Sequence, residues 1–367
     1  MLFWQIIILV VGMLMLIKGA DFFVDGSSKI AKALKIPSLI IGLTLVSMGT
    51  SAPELSVSIN AALSGSNDIS LGNVVGSNTF NTFLILGLSS IAIPLVIGKD
   101  MKKYDIPIMV VIYGLLLLFG VVITPFELTK AESISLLVLF ALYMVLLFYR
   151  AKNGGDEINE GQELANWKTL ILSSLIGVAG ILTILKLEKI AVGVIAVFAV
   201  LLFVNFGKAK EFKSKALNIV LSVVFAAAGL VAIIGGGTLV VDSASYIAES
   251  LGMSETLVGL TIVAIGTSLP ELVTSVVASI KKENDIAVGN VIGSNIFNVL
   301  LILGLTSTIR PLTLGVEAIF DLVVLFISGV AVLLISCFSK NMKKWQGVLF
   351  VLLYVAYLVF IIVRNYI

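Results

Sequence analysis

Apolar runs of about 18 residues or more recur along the whole chain, each ended by a short polar or glycine-bearing break. They fall at about 2–24, 36–64, 68–97, 104–123 and 129–149, then at 169–186, 188–206, 216–241, 254–280, 285–309, 316–338 and 345–364. A helix needs about 20 such residues to cross a hydrocarbon core. One run could be a buried helix of a soluble protein, but a dozen cannot share one soluble core. The pattern predicts an all-α polytopic membrane protein of about 12 spans. The single sizeable hydrophilic stretch, 150–168, lacks the ligand spacing of an EF-hand and reads as a solvated linker.

Polar residues interrupt the apolar pattern in two places, and the two interruptions match. "VSMGTSAPELSVS" (Val46 to Ser58) returns as "VAIGTSLPELVTS" (Val263 to Ser275). A shift of 217 positions lays Gly42–Ile91 on Gly259–Thr308 without a gap, with 29 identities in 50 positions. The match extends upstream, where Gly19 meets Gly236 and Asp25 meets Asp242. This is an internal duplication. It divides the chain into a first repeat at 1–149 (core 42–91), a linker plus extra hydrophobic pair at 150–206, and a second repeat at 207–367 (core 259–308).

Composition agrees with the membrane reading: 59% of residues are hydrophobic, 13% charged, and the mean hydropathy is +1.14. The basic residues set the orientation, because loops on the cytoplasmic side collect Lys and Arg. Alternate loops hold 19 of the 24 basic residues, including Lys29, Lys32, Lys35, Lys281 and Lys282, and the opposite set holds 5. Both termini are therefore expected outside, in a plasma membrane. The first copy of the motif then starts from the cytoplasmic side and the second from the outer side. Two inverted-topology repeats of about five helices each follow, and the extra pair at 169–206 leaves that parity unchanged. Such repeats are typical of secondary transporters. The segment 2–24 has no basic residues before its apolar run and reads as a retained span, not a leader.

The chain has no histidine and one cysteine, Cys337. That removes histidine-based zinc sites, Ser-His and Cys-His nucleophiles and any intrachain disulfide. A net charge of +2 says nothing about nucleic acid, and the basic residues follow membrane topology instead; the expected partner is the bilayer, with no nucleic acid. An intramembrane hydrolase lacks a suitable dyad, so the protein reads as no enzyme and needs no cofactor.

The repeated motif places Thr50, Ser51 and Glu54 near the middle of one span, and Thr267, Ser268 and Glu271 near the middle of its copy. A carboxylate at that depth costs about 2.5–3.5 kcal/mol on insertion scales, which marks both acids as functional candidates. Pro53 and Pro270 withdraw a backbone donor one turn after Gly49 and Gly266, in turns that include Ser47 and Ala264. Loosened carbonyls at this depth must line a cavity or bind something. The next span adds "GNVVGSNTFN" and "GNVIGSNIFN", where Ser77 and Asn81, and likewise Ser294 and Asn298, share a helix face. Their glycines also suit plain helix packing. Carboxylate, hydroxyl, amide and carbonyl oxygens together suit a hard cation, Ca²⁺ or Na⁺. Asp21 and Asp25 read as interfacial partners of Lys18 and Lys29, and Asp105 and Asp321 as acids at helix N-termini.

On these two motifs the sequence resembles the cation/calcium exchanger superfamily, specifically its prokaryotic sodium/calcium antiporters. The resemblance implies Glu54 and Glu271 as shared Ca²⁺ and Na⁺ ligands, helped by Thr50, Ser51, Thr267, Ser268, Ser77, Ser294, Asn81 and Asn298. It implies alternating access, with the first span of each repeat sliding across a fixed core. Members of the family typically have ten spans, so the pair at 169–206 is a departure. Some relatives, including potassium-dependent ones, have an aspartate where this chain has Asn298, which argues against K⁺ coupling here. The expected function is Ca²⁺/Na⁺ exchange, with a Ca²⁺/H⁺ exchanger as the alternative.

Overall fold

The computed structural model describes residues 2–65, 67–153, 215–252 and 264–366. Most of the expected linker 150–168, the pair of spans at 169–206, Lys208, Lys210, Lys213 and the start of the span 254–280 lie outside the described residues.

Among the described residues the spans are helical. The first repeat contains α1 (Leu2–Leu34), α2 (Ser38–Thr50), α3 (Ala52–Ser64), α4 (Ile69–Ala92), α5 (Met101–Ile123) and α6 (Lys130–Asn153). The second contains α7 (Lys215–Ser250), α8 (Ala264–Gly266), α9 (Leu269–Ile280), α10 (Asn284–Ile309), α11 (Val316–Phe338) and α12 (Lys344–Tyr366). Among the described residues, eight helices are long and apolar enough to cross a membrane, and nine if α2 and α3 count as one bent span. The expectation of about twelve spans is therefore not supported. A tenth, at 254–280, is described only from Ala264 onward.

α1 and α7 lie against each other with almost no side chain between them. A Cβ added at Gly12 would come within 2.9 Å of the Gly236 carbonyl oxygen. One at Gly19 would come within 2.9 Å of the Gly229 carbonyl, and one at Gly26 within 2.8 Å of the Ser222 carbonyl. Small residues allow this approach where lipid offers no hydrophobic drive for association. Residue numbers fall along α7 as they rise along α1, so the two helices are antiparallel. They are also repeat mates, since Gly12 and Gly19 correspond to Gly229 and Gly236. A helix that packs antiparallel on its own copy, through reciprocal contacts, defines a two-fold relation between the repeats. Inversion is thus visible in the packing itself.

Two short antiparallel ladders repeat the same relation. β1 (Leu95–Val96) pairs with β4 (Asn341–Met342), and β2 (Glu127–Leu128) pairs with β3 (Leu312–Thr313). Each ladder ties together two loops that the basic-residue count assigns to one side of the membrane.

The two most buried spans, α4 and α10, are also the least apolar. That combination is the inverse of the outer helices α1, α6, α11 and α12, which present Trp4, Leu142, Ile327 and Leu352 outward. Polar side chains go to the protein's centre because a hydrocarbon solvent cannot satisfy them.

The acids expected at helix ends have specific partners. Asp105 is fully buried and pairs with Arg150 at 2.7 and 3.1 Å, with Tyr143 Oη donating at 3.3 Å. Asp321 pairs with Arg364 at 3.0 and 3.2 Å, in the equivalent position of the second repeat. Both bridge neighbouring spans, so the helix N-terminus is not what holds either acid. Asp21 does meet Lys18, at 3.5 Å. Asp25, however, pairs with Lys281 at 2.8 Å instead of Lys29. Lys32 lies 3.9 Å from Glu283. These pairs join two loops predicted to share the cytoplasmic side.

Candidate cation site

The site begins with two helix breaks. α2 stops at Thr50 and α3 restarts at Ala52 with a bend of 49°. Pro53 occupies the first turn of α3, where a missing N–H costs nothing, and has no donor to return to Gly49. Ser51 at the break has φ −81° and ψ 10°. In the copy, Ser268 has φ −91° and ψ 5°, and Pro270 lies in the first turn of α9. The same sequence produces the same backbone twice. Glu54 and Glu271 fall in the first turns of α3 and α9, where the helix N-terminus favours negative charge.

Both carboxylates are fully buried. Ser51 Oγ donates to Glu271 Oε1 at 2.8 Å. Its mate Ser268 donates to Glu54 Oε1 at 3.0 Å. Each acid is therefore held by the serine of the other repeat. Ser77 Oγ also donates to Glu54 Oε1, at 3.3 Å, and lies 2.9 Å from the Ser268 hydroxyl.

The remaining predicted residues divide. Thr50 Oγ1 donates to Asn290 Oδ1 at 3.0 Å, and Thr267 Oγ1 to Asn73 Oδ1 at 3.5 Å. Those threonine hydroxyls tie the breaks to the opposite core helix, and Thr50 also lies within hydrogen-bonding reach of the Glu271 carboxylate. Ser294 departs from its mate Ser77: its hydroxyl donates to the Ser47 carbonyl at 3.4 Å and not to a carboxylate. The Ser47 carbonyl also accepts the Ser51 N–H at 3.0 Å. The Ser47 hydroxyl is spent on Leu43 O at 2.9 Å. Ala264 opens α8, one turn before Ser268. Asn81 and Asn298 sit where α4 and α10 widen into π-helical turns, Phe80–Ile85 and Asn298–Leu303. Turns of this kind concentrate at functional sites.

Two asparagine pairs were missed by reasoning from single helix faces. Asn73 Nδ2 donates to the Glu54 carbonyl at 3.1 Å and to Ser58 Oγ at 2.9 Å. Asn290 does the same to the Glu271 carbonyl at 3.4 Å and to Ser275 Oγ at 2.9 Å. Asn78 and Asn295 lie deeper, between α4 and α10. All four are identical between the two copies, and that identity was the available signal.

Four buried acceptor oxygens in this cluster have no hydrogen-bond donor among the described residues: Glu54 Oε2, Glu271 Oε2, Asn81 Oδ1 and Asn298 Oδ1. They form two repeat-related pairs, and none is a donor. Orphaned buried acceptors are expensive unless something positive meets them. Among the described residues, no three or more His, Cys, Asp or Glu side chains group together as a metal site. A cation entering this cluster would meet two carboxylates and otherwise neutral oxygens, a set suited to Ca²⁺ or Na⁺.

Comparisons with known proteins agree with this chemistry. The family profile described as "Sodium/calcium exchanger protein" matches residues 4–149 and 221–363, leaving 150–220 between its two matched segments. The putative antiporter CaxA of Alkalimonas amylolytica is 32% identical over 363 residues, covering 96% of each chain. The sodium/calcium exchanger MaX1 of Methanosarcina acetivorans is 34% identical over 356 residues, covering 96% of this chain and 97% of its own. A solved structure of the sodium-calcium exchanger NCX_Mj, soaked with Na⁺ and Sr²⁺, superposes with a TM-score of 0.73 at 28% identity. That match covers 97% of this chain and 98% of the solved one.

Proposed function

This chain belongs to the sodium/calcium exchanger protein family, and from that premise we propose how its site works. The protein is a multi-pass membrane antiporter that exchanges Ca²⁺ for Na⁺. In our reading Glu54 and Glu271 are the charged ligands of one shared centre. Their two negative charges balance one Ca²⁺, or Na⁺ ions held by overlapping oxygens. The hydroxyls of Ser51, Ser268 and Ser77 turn from carboxylate to cation on binding, and Asn81 and Asn298 contribute their amide oxygens. Thr50, Thr267, Ser47 and Ala264 take part through backbone carbonyls near the breaks, and Ser294 through its hydroxyl.

The observation that carries this reading is the set of four orphaned acceptors. Mutual exclusion at one acidic centre couples the two ions, because a ligand shifts only the state it binds. The two inverted repeats then expose that centre to either side in turn, with about five helices in each. We place both termini outside a plasma membrane, from the 19 basic residues assigned to cytoplasmic loops.

Reconstituted in proteoliposomes, the protein takes up Ca²⁺ when an outward Na⁺ gradient is imposed. A proton gradient without Na⁺ drives no uptake. Uptake driven by the proton gradient alone would replace Na⁺ with H⁺ as the coupling ion.

A further inference from the structure

An asparagine side chain can ligate a cation only with its oxygen forward; reversed, the amide presents two donors and repels it. Asn81 and Asn298 are fully buried, so their sense is set by what holds the other end of the amide. Asn298 Nδ2 donates to Asn78 Oδ1 at 2.9 Å. Asn81 Nδ2 donates to Asn295 Oδ1 at 3.2 Å. These are the same contact related by the two-fold, since Asn78 and Asn295 are repeat mates, as are Asn81 and Asn298.

The holders are themselves held in one sense. Asn78 Nδ2 donates to the Asn295 carbonyl at 3.0 Å. Asn295 Nδ2 donates to Thr82 Oγ1 at 3.0 Å, and Thr82 passes its proton to the Asn78 carbonyl at 2.8 Å. Each Nδ2 thus has a fixed acceptor, which keeps Oδ1 of Asn78 and of Asn295 facing the amides of Asn298 and Asn81. Reversing Asn298 or Asn81 would oppose two amide oxygens in a fully buried place.

We propose that Asn78 and Asn295 are positioning residues that fix the amide sense of Asn298 and Asn81 across the repeat interface, turning both orphaned oxygens toward the cation and setting its affinity. Each repeat thereby orients a ligand that the other supplies. This rests on the reading of Asn81 and Asn298 as ligands.

The test uses an aspartate as a ligand that has no wrong way round. Ca²⁺ affinity is read on the purified full chain from the Ca²⁺ concentration that half-saturates its thermal stabilisation, and in proteoliposomes from half-saturation of uptake. Asn78→Leu raises both by about tenfold, the equivalent of one lost hydrogen bond. In an Asn298→Asp background the same Asn78→Leu change has less than about a threefold effect, within the scatter of independent sites. Asn78→Asp keeps the acceptor and does not weaken Ca²⁺ binding. If Asn78→Leu fails to fold, Asn295→Leu with and without Asn81→Asp repeats the experiment on the other copy. An equal loss in both backgrounds, or none in the parent, overturns the positioning role. If Asn298→Asp and Asn81→Asp both leave Ca²⁺ and Na⁺ affinity unchanged, the ligand reading itself fails instead.

Discussion

The Ser51 hydroxyl donates to Glu271 at 2.8 Å, across the interface between two repeats related by a shift of 217 positions. Ser268 returns the contact to Glu54 at 3.0 Å. Neither half of the site is complete alone: each repeat contributes an acid and borrows a hydroxyl from the other, while Glu54 also accepts from Ser77 of its own repeat.

Ser51→Ala and Ser268→Ala should therefore have matching effects. Each removes a hydroxyl oxygen that turns to the cation on binding, an interaction comparable to a hydrogen bond to a charged group, about 1.5–3 kcal/mol, so half-saturation by Ca²⁺ should rise by about 10- to 100-fold in either variant. Uptake titrations in proteoliposomes measure this. An effect confined to one serine would show that the two acids are not equivalent ligands.

Glu54→Gln and Glu271→Gln should each abolish Ca²⁺ flux while leaving a folded, monodisperse protein. The amide fills the same volume and relieves a buried charge, so stability should hold or improve. Melting curves alongside uptake assays separate the two effects. A mutant that carries Ca²⁺ normally would falsify the assignment of that acid.

K⁺ should be neither required nor transported. With Asn81 and Asn298 both neutral, the centre carries two fixed charges, enough for one Ca²⁺ but not for an accompanying K⁺. Na⁺-driven Ca²⁺ uptake should proceed at the same rate with K⁺ or choline in the medium. A K⁺-dependent rate would require a third charge in the site.

The two interhelical ion pairs should differ in what their loss costs. Asp105 is fully buried, with Arg150 9% exposed, whereas Asp321 and Arg364 are 18% and 22% exposed. Arg150→Met leaves a buried unpaired carboxylate and should destabilise by about 3–5 kcal/mol. Arg364→Met should cost less, because water reaches its partner. Thermal unfolding in one detergent compares them directly.

α1 and α7 supply a prediction from packing. A Cβ at Gly229 would lie 2.6 Å from the Phe23 backbone nitrogen and 2.7 Å from the Gly19 carbonyl oxygen. Backbone cannot yield as a side chain can, so Gly229→Val should lower stability by about 1–3 kcal/mol or more. An unshifted melting temperature would place the two helices further apart.

Much of this architecture could be read before any coordinates, because the chain states its central motif twice. Duplication located both breaks, both buried acids and the inverted relation of the two copies. Partners across the two-fold were not legible. Helical spacing puts Ser77 and Asn81 on one face but cannot say that Ser77 reaches Glu54 while Ser294 reaches the Ser47 carbonyl. For the same reason Asp105 could not be matched to Arg150, 45 residues away. The threonines are expected at the site from their neighbours in sequence, Ser51 and Glu54 and their copies. Their hydroxyls also donate to Asn290 and Asn73, because a break in a buried helix must satisfy its polar groups on the adjacent helix.

The central claim is that Ca²⁺ and Na⁺ compete for one centre built from both repeats. Equilibrium binding of radioactive Ca²⁺ to the purified protein, titrated with Na⁺, tests it most directly. The account predicts that Na⁺ displaces Ca²⁺ competitively, and that binding is lost in both Glu54→Gln and Glu271→Gln. Ca²⁺ binding that persists at saturating Na⁺, or that survives in either variant, would contradict it.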